Sequence, residues 1–214
     1  ATGAADGYAR MAEKPASVLL HLGPGLGNGL ANLHNARKGK VPVVNIVGDH
    51  ASHHKRYDAQ LESDIETVAR NVSRWIRRSQ RGQTIGADAA DAVGAAMGPP
   101  GQVATLILPA DVSWLDGGEV AAPRPRGIRG TVDGTVVDRV ATVLKSGKPC
   151  MLLLGGSALR GPALVAASRV ANTTGARLLA ETFPARLERG AGLPPIERLP
   201  YLAEFASAQL EGTR

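Results

Sequence analysis

Two short runs in the first third of the chain combine residue types that could do chemistry. The first is Gly23-Pro24-Gly25-x-x-Asn28, which follows an apolar stretch and brings glycines, a proline and an amide together. The second is Asp49-His50-x-x-His53-His54, where imidazoles could carry protons because their pKa ordinarily lies close to neutral pH. All five histidines of the chain fall between residues 21 and 54. Any histidine-based proton transfer is therefore expected in this region.

Three interpretations of the histidine run are open. His50, with His53 or His54, could transfer protons at the rim of an active site, or all three could be solvated loop residues. Together with Asp49 and Asp58 they could also hold a metal, but this is not an established ligand spacing and no helix frames it. We take His50 and His53 as candidate catalytic residues and assign no metal ligand.

The pattern Gly23-x-Gly25-x-Gly27 also has to be compared with a dinucleotide-binding turn. The third glycine of that fingerprint should stand at Asn28, and the acidic residue expected about 20 positions later is absent. Leu154-Gly155-Gly156-Ser157 is a second weak match before a later helix. For both we prefer an ordinary strand-to-helix turn, and nucleotide binding remains a rival function.

Apolar strands alternate with helices along the chain, which predicts an α/β fold with a parallel sheet flanked by helices. We expect strands at residues 16–22, 41–47 and 102–108. Residues 23–29 are predicted to form a turn, before a helix that ends at Gly39. Further helices are predicted at residues 1–12, 65–76 and 87–97.

A change of composition follows this first part. Residues 117–130 are rich in proline and glycine, which is typical of a linker. Two helices, residues 132–144 and 162–173, and two strands, residues 149–154 and 176–180, are predicted after it. We therefore expect a first domain at residues 1–116, a linker at 117–130, and an incomplete second α/β domain at 131–214.

Charge and composition exclude several classes of protein. The net charge is +6, but the arginine clusters lack the interleaved aromatics and the reading motifs of nucleic-acid binders, so we expect no nucleic acid partner. No apolar run approaches the ~20 residues of a membrane span. No signal segment opens the chain, and its one cysteine, Cys150, allows no internal disulfide. We expect a soluble, cytoplasmic protein without membrane contact.

Several motifs together resemble one enzyme family. An Ala-rich helix ending in Gly7-Tyr8-Ala9-Arg10 precedes the Gly-Pro-Gly-x-x-Asn run, and Asp58-Ala59-x-x-Glu62-x-Asp64-Ile65 follows Gly48 at a matching distance. With residues 102–112, these motifs resemble the pyrimidine-binding domain of thiamine-diphosphate enzymes of the acetolactate synthase type. The resemblance covers about residues 1–182, and past residue 130 it is only a central-domain pattern.

The resemblance implies a cofactor and a reaction. In this family Pro24 and Asn28 would line the pocket for the aminopyrimidine ring, and we add Gly23, Gly25 and Asp49 as cofactor-binding candidates. Thiamine diphosphate would be the cofactor, with Mg²⁺ bound by a domain absent from this chain. The substrate would be a 2-oxo acid such as pyruvate, in carboligation or decarboxylation by a transferase or lyase. The complete protein would be a homo-oligomer, a dimer or tetramer.

The chain departs from the family pattern in two respects that bear on its activity. Acetolactate synthases usually carry glutamine where this chain has Asp49, so the resemblance does not define the substrate. The glutamate that activates the cofactor would fall three residues before Ala1, and no Gly-Asp-Gly motif is present. We expect the chain to be an inactive fragment. The alternatives are a 2-oxo acid decarboxylase of the same family and a non-catalytic subunit that binds a full-length partner.

Overall fold

A computed structural model describes residues 1–127 and 130–213. The chain divides into two compact units, Ala1–Arg129 and Gly130–Arg214. Ile128 and Arg129 of the predicted linker, residues 117–130, lie outside the described residues, as does Arg214 at the end of the predicted second domain. The domain boundaries at residues 116 and 131 stay a prediction.

The first unit is built on a parallel sheet with strand order β1-β2-β4-β3. Its strands are β1 (Ala16–His21), β2 (Val43–Asp49), β3 (Trp75–Arg78) and β4 (Val103–Pro109). Its helices are α1 (Thr2–Ala12), α2 (Leu22–Lys38), α3 (Ile65–Arg70), α4 (Ile85–Met97) and α5 (Ala110–Trp114). The predicted α/β fold, a parallel sheet flanked by helices, is confirmed.

The two central strands, β2 and β4, form the core of this unit. On one face, Val44 and Leu106 pack against Ala92 and Ala96 of α4. Helix α2 packs on β1 and β2, and its Leu26 is fully buried. Strands that are buried on both faces consist of nearly continuous apolar residues, as residues 103–108 do. This packing fixes the sheet edge at which the two chemical runs lie.

The predicted helix at residues 65–76 is wrong in its second half. Helix α3 ends at Arg70, and the chain then enters β3, which pairs with β4. Asp64 starts the helix by accepting a hydrogen bond from the Thr67 amide. Val72 and Ile76 continue the helical spacing by coincidence, and pairing with β4 overrides it. The error matters because β3 carries Arg78 to the candidate site.

The predicted turn at residues 23–29 is also wrong. Helix α2 begins at Leu22, directly after β1, so Gly-Pro-Gly forms its first turn. A proline is tolerated there because the first amides of a helix have no partner within the helix. The reversal is made by Leu22, which has a φ of 55° and is buried.

The Pro- and Gly-rich segment after α5 lies against α4. Arg124 forms an ion pair with Asp91 of α4, which also pairs with Arg77. A Cβ added to Gly86 would lie 2.1 Å from the carbonyl oxygen of Glu119, and one added to Gly94 would lie 3.0 Å from the Cβ of Arg124. We call residues 116–127 the strap. Its path depends on the two glycines of α4.

The second unit has a smaller parallel sheet, in the order β5-β6-β7. Its strands are β5 (Met151–Leu154), β6 (Arg177–Ala180) and β7 (Glu197–Arg198), and its helices are α6 (Gly134–Leu144), α7 (Gly161–Thr174) and α8 (Ala203–Leu210). The expectation of only two strands is wrong, because a two-residue strand leaves no periodic pattern. The core of the unit is formed by Leu159, Leu164, Ala180 and Ile196.

No helix in the described parts of the chain is long and apolar enough to cross a membrane.

Candidate functional site

The carboxyl ends of the parallel strands of the first unit meet at one edge of the sheet. The register pairs His21 of β1 with Gly48 of β2, and Asp49 of β2 with Pro109 of β4. Helix α2 starts at this edge, and the histidine run leaves from it. In open α/β sheets, ligands bind outside the carboxyl ends of the strands. The structure thus brings the two chemical runs of the sequence to one edge.

The first turn of α2 is closely packed at Gly23 and exposed at Pro24. A Cβ added to Gly23 would lie 2.2 Å from the Ser63 hydroxyl oxygen, so only glycine fits there without a shift. Gly25 is half-buried, and a Cβ there would meet the Leu20 backbone at 3.4 Å. Pro24 and Asn28 are exposed. Four residues apart in a helix, they share one face, which leaves a proline ring and an amide side by side.

A non-glycine residue with positive φ holds this turn. Leu22, at a φ of 55°, is only 4% exposed. The left-handed region costs an L-residue roughly 1–2 kcal/mol, and such residues cluster at functional sites. The burial of the Leu22 side chain offsets this cost, and the turn lets α2 begin directly after β1 with Pro24 and Asn28 exposed.

Asp49 lies at the end of β2 with its side chain completely buried. Its carboxylate pairs with the Arg78 guanidinium and, at 3.2 Å, with Lys55 Nζ. The His50 amide donates to its Oδ1 at 2.8 Å. Burial opposes ionisation of Asp49, but the hydrogen bond and charge of Arg78, helped by the His50 amide and Lys55, outweigh it and lower the pKa below the usual 3.8.

Each of the two cations that pair with Asp49 also forms a second ion pair. Lys55 also binds Glu62, and Arg78 Nε donates to Glu66 Oε1 at 2.9 Å. Burial would lower the pKa of Lys55, but Glu62 and Asp49 together raise it. Three carboxylates and two cations thus tie the ends of β2 and β3 to the start of α3. We call Asp49, Lys55, Glu62, Glu66 and Arg78 the edge network. It holds the histidine run at both of its ends.

The structure brings some of the histidines together. The ring of His50 is 5.3 Å from that of His54, which is 5.5 Å from Tyr57. His53 lies between them in sequence and is exposed. The Nε2 atom of His50 is buried and has no hydrogen-bond partner among the described residues, and the same holds for Glu62 Oε2. The described residues leave this imidazole nitrogen without a hydrogen bond, which a ligand that reached it could supply.

Two further results concern the candidate residues. Within the described ranges, no group of three or more His, Cys, Asp or Glu side chains has the arrangement needed to hold a metal. Sequence reasoning missed Arg78 and Lys55, the partners of Asp49. Arg78 was missed because the helix predicted at residues 65–76 overlaps the start of β3, the strand that carries Arg78. Lys55 lies six residues after Asp49 in an irregular segment, where no periodicity indicates proximity.

Comparisons with known proteins agree on one relationship. Residues 1–69 match the family "Thiamine pyrophosphate enzyme, N-terminal TPP binding domain". A candidate acetolactate synthase large subunit of Mycobacterium tuberculosis, IlvX, is 60% identical over the whole chain. The acetolactate synthase large subunit of Buchnera aphidicola from Acyrthosiphon pisum is 28% identical over 166 residues, which is 73% of this chain. The chain spans 41% of the first relative and 28% of the second.

Solved structures give the same result. A candidate thiamin diphosphate-dependent enzyme from Mycobacterium smegmatis superposes with a TM-score of 0.85 at 27% identity, over 98% of this chain and 41% of its own. A thiamine diphosphate-dependent 4-hydroxybenzoylformate decarboxylase from Rhodococcus jostii RHA1 superposes with a TM-score of 0.80 at 21% identity, over 99% and 41%. At that identity, the second structure shows the shared fold alone.

Proposed function

Because this chain belongs to the family of thiamine-diphosphate-dependent enzymes, we propose that it forms one wall of a thiamine diphosphate site in an acetolactate synthase-like enzyme. The observation that carries the proposal is the exposed face of Pro24 and Asn28 at the carboxyl edge of the sheet. An apolar ring wall beside an amide suits the aminopyrimidine, which has an apolar face and polar ring nitrogens. Gly23 lets the first turn of α2, which presents that face, pack closely against Ser63.

The substrate is a 2-oxo acid such as pyruvate, and the reaction is its decarboxylation with carboligation. Thiamine diphosphate would supply the carbanion chemistry. The protein residues bind and orient the reactants and move protons. His50, whose Nε2 has no hydrogen-bond partner among the described residues, would hold a proton at the substrate side. His53 would act from the exposed part of the same loop.

Asp49 contributes to this site as a positioning residue. Its carboxylate is enclosed by Arg78, Lys55 and the His50 amide, so it fixes the backbone from which the His50 ring projects. Mg²⁺ and the diphosphate would be held by residues outside this chain, in a dimer or tetramer of the complete, cytoplasmic enzyme. The 214 residues alone are therefore expected not to turn over substrate.

A decarboxylase is the second candidate function. The contact between the rings of His50 and His54, at 5.3 Å, favours it because paired imidazoles can deliver a proton to a product at neutral pH. The two functions share the cofactor wall and differ in the product that leaves.

The test uses the full-length protein that carries these residues. Replacing the amide in Asn28→Ala should weaken thiamine diphosphate binding, measured by tryptophan fluorescence or calorimetry, whereas Asn35→Ala, exposed on the same helix, should not. His50→Ala should cut turnover by about 10²-fold, typical of a lost acid–base group, and His34→Ala should leave it unchanged. Equal cofactor affinity in both asparagine variants would refute the cofactor wall.

Product analysis with pyruvate separates the two candidate functions, because a carboligase forms acetolactate and a decarboxylase releases an aldehyde.

A further inference from the structure

The turn between β5 and α7 carries the second glycine pattern of the sequence, Gly155-Gly156. In nucleotide-binding units, the backbone amides of such a turn and of the following helix bind phosphate oxygens. In this chain both positions are taken by side chains of the second unit, at the carboxyl end of β6 and beyond it.

The first occupant is Glu181, directly after β6. Its Oε1 accepts a hydrogen bond from the Gly156 amide at 2.9 Å. A Cβ added to Gly155 would lie 3.1 Å from the same oxygen, so the carboxylate lies directly on the turn. The amide that would bind a phosphate oxygen thus already binds an anion.

The second occupant is Glu188. Its Oε2 accepts from the amide of Gly161, the first residue of α7. Arg186 holds the other carboxylate oxygen at 2.8 Å, and the Glu188 amide donates to Leu159 at 3.1 Å. The start of a helix attracts anions because its free amides and its dipole are positive there. Glu188 satisfies that preference from within the chain.

We propose that Glu181 and Glu188 are specificity-determining residues that exclude nucleoside diphosphates from this turn. A diphosphate would have to break both carboxylate–amide hydrogen bonds and displace Glu188, which its ion pair with Arg186 also holds in place. The carboxylates occupy the positions that phosphate oxygens would need, and the charge of Glu181 adds repulsion of an approaching diphosphate. This inference does not rest on the thiamine diphosphate site, which belongs to the first unit.

The experiment is a calorimetric titration of the full chain with ADP, followed on ¹⁵N-labelled protein by the amide signals of Gly156 and Gly161. The variants are Glu181→Ala/Glu188→Ala and a matched control, Glu204→Gln, whose exposed carboxylate lies on α8. We expect the double variant to bind ADP at least about tenfold more tightly than the wild type, with both glycine signals shifting. The control should behave as the wild type.

Three outcomes would overturn the proposal. The wild type could bind ADP as tightly as the double variant, the double variant could gain no affinity, or its gain could leave both glycine signals unmoved. If the double variant does not fold, the single variants Glu181→Ala and Glu188→Ala each free one of the two amides. Each should then gain affinity for ADP, and no gain in either refutes the exclusion. None of these readouts involves thiamine diphosphate.

Discussion

The carboxyl edges of the two sheets use acidic side chains in opposite ways. In the first unit, Asp49 is fully buried and is matched by Arg78 and Lys55. In the second, Glu181 is half-exposed and binds the Gly156 amide, and Glu188 caps α7. A buried carboxylate needs cations because desolvation is costly, whereas a partly exposed one at a helix start or glycine turn is bound mainly by amides, although Arg186 also pairs with Glu188. The ion pairs of the first unit hold the ends of its strands together, and the hydrogen bonds of the second unit hold the turn between β5 and α7.

The largest effect is expected from removing the cation of the buried pair. Arg78→Met leaves Asp49 buried without its main partner, which should lower the free energy of unfolding by about 3 kcal/mol. Urea denaturation of the chain measures this, with Arg70→Met, an exposed arginine on α3, as the control. A loss below about 1 kcal/mol, the range of surface pairs, would mean that the two edges do not differ in this respect.

Gly23 and Gly27 provide a matched pair within α2. Gly23→Ala would force its Cβ against Ser63 and should cost about 1–3 kcal/mol of unfolding free energy, as overpacking does. Gly27→Ala meets nothing within 4 Å and should stabilise the helix by roughly 0.5–1 kcal/mol. Thermal unfolding compares them. Equal effects in both variants would show that the first turn of α2 is not closely packed on Ser63.

The pH dependence of stability should also identify the buried carboxylate. The pKa of Asp49 is lowered on folding, so its stabilisation is present above its unfolded pKa and is lost as pH falls through the lower, folded value. Asp49→Asn cannot bind that proton, and its unfolding free energy should fall less steeply below about pH 4. Acid titrations at fixed urea measure the slopes. Parallel slopes in wild type and variant would contradict a lowered pKa for Asp49.

The smallest effect is expected at the second edge. Glu181→Ala removes one exposed hydrogen bond to the Gly156 amide and should cost only about 0.5–1.5 kcal/mol. The same urea denaturation measures it beside Arg78→Met. If Glu181→Ala cost as much as Arg78→Met, the second edge would be as tightly built as the first.

Much of the fold was predictable because its strands are buried on both faces. Residues 103–108 and 43–47 have nearly continuous apolar patterns, each broken by one polar residue, and their burial follows from them. Strand β3 was not predictable. Its sequence, Trp75-Ile76-Arg77-Arg78, has no alternation, and its pairing with β4 is a long-range contact that local patterns do not encode.

The sequence indicated the residues of the candidate site but not their contacts. Pro24, Asn28 and His50 each follow a strand that was predicted, and the ends of these strands meet at one edge of the parallel sheet. The partners of Asp49 depend on where β3 and the loop to α3 return in space. Only the folded chain brings Arg78, 29 residues from Asp49 in sequence, into contact with it.

The strap has a practical consequence for dividing the chain. By composition it looks like a tether, yet Glu119 and Arg124 fill the space that Gly86 and Gly94 leave open on α4. A piece of the protein that stopped at Asp116 would expose those two glycines to water and leave Asp91 without Arg124. A piece that ran to Gly127 would keep them covered. The end of α5 is therefore a poor point at which to truncate the protein, although the proline and glycine content of the strap suggests a domain boundary there.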